Sequence, residues 1–138
     1  MNLLDDHKVT YVTVAGDAFV IAGKSYAAFQ CLIQKAQKIR KFFDHGKLAC
    51  HSHDATVSHK GDFCVFCPNR YRCQRKIRLS MILIDGSRLL PVILDINQGS
   101  FANLQTILDQ LGNDLQRIPV NLKLVYDDND RRCIEFTT

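Results

Sequence analysis

The sequence predicts an α+β fold, a small β-barrel preceded by a hairpin and a helix and interrupted by one long irregular insert. Three observations predict it. Short apolar segments alternate in pairs around turn residues, two other segments carry helical spacing, and one stretch has neither period but collects most of the Cys and His. At 138 residues and 46% hydrophobic, the chain is sized for a single core. With 23% charged residues it lacks the composition of a disordered tail.

Lys8 to Ala15 is rich in β-branched residues and reads as a strand. Gly16-Asp17 turns the chain, and Ala18 to Ala22 returns as a short partner. Ser25 is placed to cap a helix running to about Phe43. Tyr26, Phe29, Leu32, Ile33, Ala36, Ile39 and Phe43 recur on one side of it, with Lys35, Lys38 and Lys41 opposite. From His45 to Arg75 periodicity disappears, while four of the six Cys and four of the five His appear. A stretch that long needs something other than a core to order it, and a bound metal is the obvious candidate.

Ile77, Leu79, Met81 and Leu83 then alternate as in a half-buried strand. Asp85-Gly86 turns, and Leu89 to Ile96 returns, with Pro91 marking a start at a sheet edge. Ser100 caps a helix to about Leu111 that buries Phe101, Leu104, Ile107, Leu108 and Leu111, and Gly112-Asn113 ends it. Val120, Leu122, Leu124 and Tyr126 alternate, Asp127 to Asp130 turns, and Ile134 with Phe136 closes a last hairpin. If the N-terminal hairpin lends one strand, these elements complete an OB-like small β-barrel. The expected organisation is one domain over 1–138: a hairpin and basic amphipathic helix in 1–47, a metal-binding loop in 48–75, and an OB-like β-β-α-β-β unit in 76–138.

The net charge of +4 is unevenly spread. Residues 24–78 hold twelve Lys or Arg against three Asp, whereas the remainder is acidic in balance. Arg70, Arg72, Arg75, Lys76 and Arg78 put five cations into nine positions with no acid among them. A nucleic-acid surface favours such asymmetry, because neutralised phosphates release condensed counterions. Apolar runs such as Leu89 to Leu94 are far too short for a membrane span. The start, Met1 to His7, lacks the pattern of a secretory signal, so a reducing cytoplasmic setting is expected. Six cysteines in that setting point to metal before disulfides.

Cys50, Cys64, Cys67 and Cys73 are spaced C-x13-C-x2-C-x5-C. A Cys-x2-Cys turn aims two thiolates at one ion, and two more complete a tetrahedron. Structural Zn2+ is expected, with an iron–sulfur cluster as the alternative that thiolates serve equally well. His51, His53 or His59 could replace one thiolate, most readily Cys50. Cys31 and Cys133 read as small core residues. Phe63 to Cys73 is also similar to the cysteine triplet of iron–sulfur nucleases. Their acid and lysine arrangement is missing, since the only acid-x-Lys triplet is Asp6-His7-Lys8.

Tyr71-Arg72-Cys73-Gln74-Arg75-Lys76-Ile77-Arg78-Leu79-Ser80-Met81-Ile82-Leu83-Ile84-Asp85-Gly86 resembles the C-terminal DNA-binding domain of the replication protein A large subunit. In that family a zinc ribbon interrupts an OB barrel and is followed by a strand and a tight turn. The likeness follows the order of elements over about residues 50–137. The family usually presents two Cys pairs, whereas Cys50 and Cys73 stand alone here around a single pair.

The resemblance implies a single-stranded-DNA-binding protein, and the residues fit weak sequence preference, since no groove-reading helix stands out. Arg70, Arg72, Arg75, Lys76 and Arg78 are expected to form one phosphate-tracking stripe, extended by Lys35, Lys38 and Lys41. Tyr71 is the first candidate to stack on an unpaired base, with Phe63 or Phe66 second. Packing beneath the loop is the expectation favoured for Phe63. The alternative is a protein-interaction module whose metal-ordered basic patch docks a partner protein. No nucleophile–base set or phosphate-binding glycine loop supports an enzyme.

Overall fold

A computed structural model describes residues 9–138. The Met1 to His7 start and Lys8, the first residue of the predicted N-terminal strand, lie outside the described residues. The protein is mostly β-sheet with one short helix, which is an α+β fold rich in strands.

β1 (Thr10–Tyr11) leads into a three-stranded antiparallel sheet of β2 (Thr13–Ala15), β3 (Ala18–Ile21) and β4 (Lys24–Tyr26). The β2–β3 hairpin stands where Gly16-Asp17 predicted it, with Gly16 at a φ of +62° that suits a glycine. β5 (Ala28–Asp44) and β6 (Lys47–Ser52) follow, then a 3-10 turn at Cys64–Phe66. β7 (Gln74–Asp85), β8 (Arg88–Ile96), α1 (Phe101–Leu111), β9 (Val120–Tyr126) and β10 (Arg132–Thr137) complete the chain. The main sheet runs β1-β8-β7-β5-β9-β10, with β6 also paired to β5. Among the described residues, no helix is long and apolar enough to cross a membrane.

The basic helix expected from Ser25 to Phe43 is instead β5, a strand of 17 residues at the centre of the sheet. Phe29, Cys31 and Ile33 point into the core in strict alternation. Gln34 is then an extra residue: the pairing with β7 runs Ile33 to Met81 and resumes at Lys35 with Ser80. Such a bulge reverses parity, so Ala36, Lys38 and Arg40 now share the face that Ile33 occupied. One extra residue puts a step of three, Ile33 to Ala36, into a period of two, and the buried Ile39 on the other face adds to a pattern that imitates a helix. Lys35 and Lys41 consequently lie on one face of β5 and Lys38 on the other, not on one basic helix face.

The second half follows its pattern closely. β7 and β8 form a hairpin from Ile77–Ile96 to Asp85–Arg88, and Leu79, Met81, Leu83, Val92, Leu94 and Ile96 are buried in one core cluster with Leu104, Ile107 and Leu111 of α1. Burying each such side chain contributes roughly 1.5–3 kcal/mol. Pro91 stands opposite Ile82 of β7 and just before the stretch of β8 that β1 pairs, Val92 and Ile93, so at Pro91 the β1 side of the strand is an edge among the described residues. α1 buries Leu104, Ile107 and Leu111 and ends at Gly112. Ser100 occupies the cap position, but its hydroxyl accepts the Ile134 N–H at 2.9 Å, tying α1 to β10 instead of capping the helix.

Cys31 and Cys133 are core residues as expected, and burial pushes the Cys31 thiol up to about 12.

Candidate nucleic-acid interface and metal centre

The insert between β5 and β7 is anchored by β6, where Phe42 pairs with Cys50 and Lys41 with His51. Part of the stretch predicted as irregular is therefore strand. Past Ser52 the backbone is tied by one carboxylate. Asp54 Oδ1 accepts the Thr56 and Val57 N–H groups at 2.8 and 2.9 Å, and those bonds hold its pKa below the usual carboxylate range. A bridge from Val57 to Phe63 closes this lobe, and the Cys64–Phe66 turn follows.

Cys50, Cys64, Cys67 and Cys73 all line one cavity of about 230 Å³. Burial, then the neighbouring Cys67, pushes the Cys73 thiol up, and Arg40 opposes the shift. Among the described residues, no group of three or more His, Cys, Asp or Glu side chains is arranged so as to hold a metal ion. The donor chemistry nonetheless fits a thiolate-bound metal. Four thiols line a common space, and the charge of Arg40 on its wall would favour their thiolate form, as it does at Cys73.

Of the three imidazoles offered as substitutes, only His51 lines that cavity. His51 and His59 stack at 4.3 Å between centroids, and His53 meets His51 edge-on at 4.9 Å. Burial, followed by the charges of His59 and His53, holds the His51 pKa below its usual value.

The predicted cations do not form one stripe. Arg78 and Lys41 converge on Asp95: the guanidinium donates at 2.8 and 3.0 Å, and the ammonium at 2.7 Å. Burial pushes the Asp95 carboxyl up, but these two partners outweigh it and leave its pKa below the usual range. The triad is largely shielded, and the Arg78 guanidinium also lies 5.9 Å from the Tyr11 ring centroid. Lys76 shares that face and donates to Asn97 Oδ1 at 3.0 Å. Arg75 and Lys38 stand on the opposite face. Lys35 is exposed, paired with Ser80.

Arg70, Tyr71 and Arg72 project from the insert itself. Tyr71 is 83% exposed, with the Arg70 guanidinium 4.4 Å from its ring centroid and donating to its hydroxyl at 3.2 Å. Arg72 lies over the Phe42 ring at 5.3 Å. Phe63 is not packed beneath the loop. It is exposed, as are Val65 and Phe66, and its ring meets Phe66 edge-on at 6.3 Å.

Two residues escaped the sequence reading. Asp95 neutralises two predicted phosphate contacts, and its signal was a lone acid inside an apolar strand. Arg40 sits between the thiol cavity and a second cavity beside Arg75, and it was concealed by the assignment of its segment to a helix. No protein-family model matches the chain, and no curated protein or solved structure matches it either.

Proposed function

We propose that the protein binds nucleic acid, single-stranded DNA first, with weak sequence preference and through a metal-ordered insert. The observation that carries the reading is the place of the insert. Strands β8-β7-β5-β9-β10 lie in the order expected of the third, second, first, fourth and fifth strands of an OB barrel, with α1 between the third and fourth. On that reading the insert is the loop between the first two strands, one of the loops with which OB barrels hold oligonucleotides. It presents the exposed Tyr71 sandwiched in sequence by Arg70 and Arg72. An aromatic face among cations is what a sequence-tolerant single-strand binder needs. The likeness to the replication protein A large-subunit domain points the same way.

Cys50, Cys64, Cys67 and Cys73 would hold Zn2+, or an iron–sulfur cluster, and the bound metal would supply folding energy to a loop with little core of its own. A four-thiolate zinc would keep no open position for water, so the protein is read as a binding protein and not an enzyme. The free cations then left for phosphates are Arg70, Arg72, Arg75 and Lys38, with Lys35 and Lys76 at the margins and Lys41 and Arg78 tied to Asp95.

Fluorescence anisotropy of metal-replete protein with labelled single-stranded and duplex DNA, at low and high salt, tests this. Tighter single-strand binding that weakens steeply with salt is expected, and no binding to either at low salt overturns it. The second reading, a module that docks a protein partner, is favoured by the exposed Phe63, Val65 and Phe66 at the tip of the insert. It would then be the apolar tip, not Tyr71, whose loss abolishes function.

A further inference from the structure

Beyond Leu79 the inward face of the sheet stops being apolar. Alternation along β7 carries the face that buries Leu83, Met81 and Leu79 on to Ile77 and Arg75. Across from it, the bulge at Gln34 has set Lys38 and Arg40 on the same face, Lys38 opposite Ile77 and Arg40 opposite Arg75. Side chains directly opposite in an antiparallel pair stand about 4.5–5.5 Å apart at Cβ, and like charges there are destabilising. Two facing arginines are thus an arrangement that sheet stability does not select.

A cavity of about 580 Å³ opens on this pair, with Lys38 on its wall and Ile77 and Phe101 forming an apolar side; Lys76 also lines it, although its strand position is on the other face and its ammonium donates to Asn97. Among the described residues, none of these four cations is in an ion pair. The one acid on the wall is Asp54, whose Oδ1 already accepts two backbone N–H groups. Arg40 Nε is buried without a partner. A guanidinium has five donors in a planar fork, so Arg40 can face both this cleft and the thiol cavity it also lines.

We propose that this cleft is a phosphate-monoester site, taking the phosphorylated end of a nucleic-acid strand. The reading rests on the nucleic-acid function proposed above for its source of ligand, and on the cleft alone for its chemistry. An internal phosphodiester carries one charge and must leave the site on both sides. A monoester carries up to two charges, has one ester link, and so fits a recess that concentrates uncompensated cations. The Ile77 and Phe101 side offers the terminal nucleotide an apolar surface.

The test compares oligonucleotides of one sequence, labelled on an internal base and bearing a 5′-phosphate, a 3′-phosphate or only hydroxyl ends, with adenosine monophosphate and inorganic phosphate in parallel thermal-shift assays. One phosphorylated end is expected to bind about tenfold tighter than the hydroxyl ends. Arg75→Gln and Lys38→Gln, both at exposed positions, bring that ratio towards one. Arg40→Gln, compared at equal bound metal because Arg40 also lines the thiol cavity, abolishes it. If the oligonucleotides bind alike whatever their ends, the cleft proposal is overturned and single-strand binding stands. If no oligonucleotide binds but adenosine monophosphate raises the Tm in a manner lost in Arg75→Gln, the monoester site stands, its ligand is a free nucleotide, and the nucleic-acid reading fails.

Discussion

Single residues decide which cations can reach a phosphate. Asp95 holds Arg78 and Lys41 in a shielded triad, so neither is free to track a backbone. Replacing Asp95 by Asn leaves two half-buried cations without their acceptor and should destabilise the fold by about 1–3 kcal/mol. The pH dependence follows from the lowered Asp95 pKa. Its contribution is complete above the unfolded carboxylate value of about 3.9 and is lost as pH falls through the lower folded value. Thermal melts from pH 6 downwards should show the Tm of the native chain falling towards that of Asp95→Asn, and parallel curves would refute the linkage. Tyr71 is the contrasting case. Because it is exposed and touches mainly its own neighbour Arg70, Tyr71→Ala should leave the Tm nearly unchanged. It should weaken single-strand binding by roughly 1–3 kcal/mol, read by anisotropy, whereas Tyr71→Phe retains most of the affinity.

Among the elements, β5 carries the fold. It pairs with β7, β9 and β6, and its bulge at Gln34 switches which residues face inward. Deleting Gln34 would make the pairing continuous, Ile33 with Met81 and then Lys35 with Ser80, and would leave Ala36, Lys38 and Arg40 on the face they already share with Ile33. A cooperative melt is expected to survive the deletion, at a cost comparable to the about 0.5–1.5 kcal/mol of Ile33→Val at the same point of the strand. A deletion variant that loses its cooperative melt would show that the fold needs the bulge itself and not only the register around it. The insert depends on a different source of order. If metal holds it, chelation should raise amide exchange between Cys50 and Cys73 while the β7–β8 hairpin stays protected, and Cys67→Ser should lower the bound metal. Uniform exchange across both segments would mean that metal stabilises the whole chain, or none of it.

At the scale of the molecule, binding would draw on cations from two sources, the insert and the inward face of β5 and β7. For single strands each neutralised phosphate contributes about 0.7 to the slope of log affinity against log salt. Arg72→Ala and Arg75→Ala together should therefore flatten that slope by roughly 1.4, while an Arg78→Ala change moves it little because Asp95 already neutralises that side chain. Equal effects from Arg78 and Arg75 would return Arg78 to the phosphate track.

Alternation and turn residues were legible without coordinates wherever a strand kept its period. The hairpins Thr13–Ile21, Gln74–Ile96 and Val120–Thr137 and the helix Phe101–Leu111 follow from local pattern, because each buries one face against the core. Cys spacing likewise marked four thiols that line one cavity. β5 was not legible, since one bulged residue shifts the apolar pattern and no local signal separates that shift from a helical step. Nor was the fate of the basic stripe. Strand parity assigns Arg75 and Arg78 to opposite faces, but only the packing of β8 on β7 brings Asp95 to Arg78, and only the register of β5 on β7 sets Arg40 against Arg75. Charge is written in the sequence; whether a charge is spent on a neighbour or left for a ligand depends on contacts between residues far apart in the chain.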